Sequence, residues 1–118
     1  MHSYKELNVW QKAIELAVDV YEITDSFPQK ERFGLISQIN RSVVSIPSNI
    51  AEGAGRNTKK DFDHILSIAL GSSFELETQL LISNRRKYFE AIVFQKLQTD
   101  LEHIQNMLAK LKQSLNFK

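Results

Sequence analysis

Two carboxylate–imidazole pairs, Asp61-x-x-His64 and Asp100-x-x-His103, each stand one helical turn apart in this chain. That is the kind of spacing with which helical bundles hold paired metal ions. A helix brings such a pair to a metal only if both side chains face the interior. With Phe62, Ala69 and Leu76 on the core line, Asp61 falls at its flank and His64 outside. Leu101, Ile104 and Leu108 place Asp100 and His103 in the same way. Those sites also need inward glutamates from two further helices, and the available Glu15 lies on a polar stripe. The phase argues against a metal centre, and no cofactor is expected. His2 stands beside the terminus, and no role is expected of it.

Serine chemistry fares no better. Ser45, Ser48, Ser72 and Ser73 have no histidine in or next to their stretches, and no strand signal flanks them, so neither an activated hydroxyl nor a nucleophile elbow is indicated. Catalysis is not expected. Gly53-Ala54-Gly55-Arg56 followed by Lys59-Lys60 imitates a phosphate cradle but lacks the preceding strand and the full Walker spacing. A helix end, a turn and an exposed basic first turn is the expected arrangement.

What remains is charge. Basic residues gather at Arg56, Lys59 and Lys60, at Arg85, Arg86 and Lys87, and at Lys110, Lys112 and Lys118. The chain carries 15 basic and 14 acidic residues, net +1, so any nucleic-acid binding must come from such local clusters. Tyr88 and Phe89 adjoin the second cluster and offer base stacking, although anchoring the next helix is the simpler role. There is no cysteine among the 118 residues, which excludes disulfides and thiolate sites. The N-terminal stretch MHSYKELNVW has no basic-then-apolar signal pattern, and no run approaches about 18 consecutive apolar residues. The expectation is a single domain over 1–118, cytoplasmic and without a membrane segment.

The elements that must position these clusters read as helices. Val9, Ala13, Leu16, Val20 and Ile23 form one apolar stripe, and Leu7, Trp10, Ile14, Ala17 and Tyr21 a second beside it. So wide an arc predicts a helix packed against at least two neighbours. Ile36, Ile39, Val43, Ile46 and Ile50 continue the rhythm straight through Pro47, Phe62 to Leu80 carry it again, and Leu97, Leu101, Ile104, Leu108, Leu111 and Leu115 alternate four and three. Helices are expected over roughly 5–25, 30–54, 58–86 and 90–115, the third started by Asn57 or Thr58. Short connections make them an all-α, up-and-down antiparallel four-helix bundle, with the Arg56 and Arg85 clusters at opposite ends and the C-terminal lysines at the former.

The second helix is the unusual one. Proline lacks an N–H, so Pro47 deprives the Val43 carbonyl of its donor and predicts a kink, with Ser45, Ser48 or Asn49 at hand for freed backbone groups. A full break, with Asn49 and Glu52 as a capping box, is the alternative. Gly53 or Gly55 is expected to end the helix in the left-handed conformation. Gly71 inside the third helix costs about 1 kcal/mol relative to alanine. Its cost predicts a close approach there, between helices two and three or between subunits, with Ser45 and Ser72 as small contact residues. Arg41, Asn49, Glu52, Glu75 and Glu77 are placed to form a polar network around it that fixes register.

Trp10-Gln11-Lys12-Ala13, Phe27-Pro28, Glu31, Gly34-Leu35, Arg41-Ser42, Ser45-Ile46-Pro47-Ser48-Asn49-Ile50-Ala51-Glu52-Gly53, Gly71-Ser72 and Glu75-Leu76-Glu77 together resemble the bacterial four-helix bundle proteins encoded by intervening sequences in large-subunit ribosomal RNA genes. The resemblance spans nearly the whole chain and is most specific in SIPSNIAEG and IALGSSFELE. It implies an up-and-down bundle assembling as a ring, a homopentamer, with no catalytic activity. A related branch, the accessory proteins of diversity-generating retroelements, binds a reverse transcriptase and nucleic acid. Where that pattern leads one to expect a glycine-containing turn after helix three, this chain has Ser83-Asn84-Arg85-Arg86-Lys87-Tyr88-Phe89. Two functions are thereby expected: a ring-forming protein associated with RNA or DNA through basic rims, or a scaffold or accessory subunit that contacts another protein.

Overall fold

The computed structural model describes residues 3–115. A short 3-10 turn at Tyr4–Glu6 leads into α1 (Asn8–Thr24), a second at Gln29–Glu31 precedes α2 (Leu35–Ala54), and α3 (Lys59–Arg85) and α4 (Ala91–Leu115) follow. The described residues contain no strand. Consecutive helices pack side by side, α4 closes back on α1, and neither diagonal pair approaches. This is the all-α up-and-down bundle expected from the short connections.

The apolar rhythms account for the packing. Val9, Ala13, Leu16 and Val20 of α1, Ile39, Val43, Ile46 and Ile50 of α2, Leu66, Ala69, Leu76 and Leu80 of α3, and Leu97, Leu101, Ile104 and Leu108 of α4 form the buried centre. Each large aliphatic side chain among them contributes about 1.5–3 kcal/mol by leaving water. The second stripe of α1 behaves differently: Ala17 is buried and Leu7 and Trp10 pack at the margin, but Ile14 and Tyr21 are exposed. Only two of the long helices touch α1, and an arc that wide exceeds what two neighbours cover.

Several boundaries move, each for a local reason. The second helix starts at Leu35 rather than near Lys30, because the chain first makes the Gln29–Glu31 turn and Gly34 (φ −107°, ψ −111°) interrupts helical geometry. Pro47 lies within α2, which runs unbroken from Leu35 to Ala54; the capping-box break is not formed. Asn49 Nδ2 instead donates to the Ser45 carbonyl at 2.8 Å and to Ser45 Oγ at 2.9 Å. Neither Gly53 nor Gly55 is left-handed, since no glycine has positive φ among the described residues. Gly55 ends α2 in right-handed geometry (φ −86°, ψ −2°). Gly53 serves contact: a Cβ there would lie 2.9 Å from Phe62 Cδ1 and 3.3 Å from Ile65.

The left-handed position falls at Lys87 (φ 62°). Tyr88 N–H donates to the Ser83 carbonyl at 3.0 Å and Lys87 N–H to the Asn84 carbonyl at 2.9 Å, the paired bonds that close a helix through a left-handed residue. Lysine thus occupies the place for which glycine is best suited. At the other end of α3, Thr58 Oγ1 accepts from Asp61 N–H at 3.1 Å, as an N-cap should.

By length and composition α3 is apolar enough to cross a bilayer, with an 18-residue window of mean hydropathy 1.3, of which 39% is buried inside the bundle. No unbroken apolar run marks it in the sequence, because α3 mixes its apolar residues with serine, glycine and threonine. Two packed faces consume much of that apolar content, and Ile68, Phe74, Leu81 and Ile82 remain exposed.

Candidate nucleic-acid interface and assembly face

The bundle is 46 Å long and 24 by 22 Å across, and α3 alone spans about 40 Å at 1.5 Å per residue. Its two ends carry the principal basic clusters. At the α2–α3 turn, Arg56, Lys59 and Lys60 are exposed, with Arg56 paired to Glu52 at 3.3 Å across one helical turn. Lys110 is exposed on α4, but Lys112 turns inward. Its ammonium is 2.9 Å from Asp63 Oδ1 and also donates to Ser67 Oγ, so it joins α4 to α3 and is withdrawn from the cluster. Lys118 and His2 lie outside the described residues.

At the far end, Arg85, Arg86 and Lys87 are exposed on the α3–α4 turn. This turn is held against the α1–α2 connection. Tyr88 Oη donates to Glu31 Oε2 at 2.7 Å, and Glu31 Oε1 accepts from Leu35 N–H at 3.2 Å, standing in for the missing N-cap of α2. These two bonds hold the Glu31 carboxyl below its ordinary value of 4.5, the Tyr88 bond contributing most. Phe89 is stacked on Phe27 with centroids 5.7 Å apart, and Tyr88 leans on the same ring at 5.4 Å. The two aromatics beside the cluster therefore hold the bundle end together, the simpler of the two roles open to them. The clasp adds Lys30, Arg32 and Phe33 to this surface, all exposed. Apolar periodicity puts Lys30 at the start of a helix and assigns Arg32 and Phe33 no role.

The small and polar residues of α2 and α3 meet along a seam. Ser45 Oγ and Ser72 Oγ are 2.8 Å apart, and Asn49 completes a three-residue chain through Ser45. The larger network does not form. Glu52 turns to Arg56, Glu77 accepts from Gln105 of α4 at 3.1 Å, and Arg41 and Glu75 instead line a groove of about 440 Å³ with Phe33, Ser45, Ser72 and Gln79. Gln79 Oε1 is itself buried and has no donor among the described residues. Gly71 does not make the close approach expected within the chain, for it is exposed and a Cβ there would meet nothing within 4 Å. The α2–α3 contact sits at Ser45–Ser72 and at Gly53, on adjoining sides of these helices.

His64 and His103 are exposed, and Asp100 accepts from Lys96 at 2.8 Å. Among the described residues, no group of three or more histidine or acidic side chains is arranged to hold a metal.

The same architecture is found in a solved protein. The structure is similar to the crystal structure of a Bacteroides thetaiotaomicron protein of unknown function from the S23 ribosomal protein family, with a TM-score of 0.80 and 28% identity over 88% of this chain and 97% of that one. No curated protein matches. The model of the 23S rRNA-intervening sequence proteins matches residues 5–110. With nearly its full length matched by that model, the chain belongs to the family of 23S rRNA-intervening sequence proteins.

Proposed function

We propose that this protein is a non-catalytic helical bundle that associates with RNA through the basic clusters at its two ends and multiplies those contacts by self-assembly. The observation that carries the reading is the exposure of Arg56, Lys59 and Lys60 at one end and Arg85, Arg86 and Lys87 at the other. Among the described residues, only Arg56 of these six forms an ion pair with a carboxylate. Arg86 lies over the Tyr88 ring at 5.8 Å and near Glu31, whereas Lys59, Lys60, Arg85 and Lys87 stand in water open to phosphates, and each phosphate neutralised releases counterions.

Assembly uses the outer face of α3, where Ile68, Phe74, Leu81 and Ile82 are exposed around an uncovered Gly71. The SIPSNIAEG seam adjoins it through the Ser45–Ser72 contact. A closed ring of five copies, as the family resemblance implies, repeats each basic end five times. Retention of a structured RNA fragment, abolished when the two triplets are replaced by neutral residues, tests the RNA contact. Retention undiminished by both replacements would contradict it.

One observation favours a second reading. Ile14, Ala17, Val18 and Tyr21 of α1 line a shallow apolar concavity flanked by Glu22 and Asp25. Such a surface suits a helix of another protein, and in that case the chain is a scaffold or accessory subunit. Charge removal at the two ends would leave that partner's binding intact.

A further inference from the structure

Resting on the RNA reading, we propose that the α3–α4 end of the bundle is a single-strand site, in which Phe33 stacks an unpaired base while Arg32, Arg41, Arg85, Arg86 and Lys87 hold the flanking phosphates. Phe33 is 87% exposed, more than any other large apolar side chain described, and it is the last residue but one before α2. An aromatic ring so placed gives up the area a core phenylalanine would bury. The Arg32 guanidinium lies 5.4 Å from its centroid, near enough to act on the ring face and on a phosphate beside it.

The rest of the site is in place around this ring. Phe33 forms one wall of the 440 Å³ groove that Arg41 and Gln79 also line, a volume in the range of about 300–1,000 Å³ typical of small-ligand sites. An unpaired base has a free face to lay against the Phe33 ring. Duplex RNA cannot offer the same contacts, because its bases are already stacked and paired. The Tyr88–Glu31 bond brings the Arg85–Lys87 turn against the segment that carries Arg32 and Phe33. Stacking on an aromatic ring together with phosphate contacts is the general means of gripping single strands.

Fluorescence anisotropy with a short single-stranded RNA and a hairpin duplex of matched length tests the site. Phe33→Ala is expected to weaken single-strand binding about tenfold and duplex binding less than about twofold, with Phe33→Trp restoring the single-strand affinity. Equal losses on both RNAs, or none on either, would overturn the stacking role while leaving the RNA reading standing. Absence of binding to both RNAs by the wild type would overturn both. A changed sedimentation coefficient in Phe33→Ala with unaltered RNA affinity would assign Phe33 to a contact between copies and overturn the site.

Discussion

The Tyr88–Glu31 hydrogen bond shows how much of this fold's organisation rests on single residues that no periodicity reveals. Glu31 is legible in the sequence as part of the family pattern but not as a joint, because its partner is 57 positions away. Its depressed carboxyl fixes the sign of the pH effect: the contribution is complete above about 4.5, the unperturbed value, and fades as pH falls through the lower folded value. Tyr88→Phe should therefore raise the Glu31 titration midpoint toward 4.5, as followed by carboxyl NMR shifts. An unmoved midpoint would mean that the Leu35 amide and the Lys30 and Arg86 charges set it instead. Lys87 is legible only as a missing glycine. The structure gives that absence a meaning, since Lys87 holds φ 62° where a side chain costs about 1–2 kcal/mol. Lys87→Gly should raise stability by about 1 kcal/mol in denaturant melts. Gly53 works in the opposite way: Gly53→Ala drives a Cβ into the buried Phe62 ring at 2.9 Å and should cost about 1–3 kcal/mol.

At the scale of elements, α4 is the most readable, because its four-three leucine alternation faces only one interior. Leu101, 1% exposed, should cost about 2–5 kcal/mol when replaced by alanine, measured as a shift in urea midpoint. The pattern of α1 promises more burial than the bundle delivers. Composition gives it two apolar stripes, but burial depends on how many neighbours the topology supplies, and Ile14, Val18 and Tyr21 remain exposed. The start of α2 is hidden because the Gln29–Glu31 turn has no apolar signature to separate it from a helix. Gly71 suggests a close approach by its cost and proves to be open within the chain. An exposed helical glycine with free space around it gains about 1 kcal/mol on replacement by alanine, so Gly71→Ala should stabilise the isolated chain. Gly71→Leu should instead weaken self-association on sedimentation, with helicity retained, if this face of α3 receives a second copy. An unchanged assembly in that variant would move the interface elsewhere.

For the molecule as a whole, the consequence of an antiparallel bundle 46 Å long is that its two principal basic clusters cannot reach the same few phosphates. The topology, and hence the opposition of the ends, is legible from connection lengths alone. The composition of each end is not, because Lys112 is drawn to Asp63 and Phe33 is added by a turn that folds back on Glu31. Net charge of +1 conceals this arrangement, since acidic residues such as Asp19 and Asp63 are spent on lysines between helices. RNA association should then depend on salt through a small number of local contacts, and the slope of log affinity against log salt counts them directly. Neutralising Arg85, Arg86 and Lys87 should reduce the steepness of that slope for single-stranded RNA by about 2, at about 0.7 for each phosphate left without its cation. Neutralising Arg56, Lys59 and Lys60 should reduce it separately. A wild-type slope near zero, or one that neither triplet replacement alters, would contradict the account.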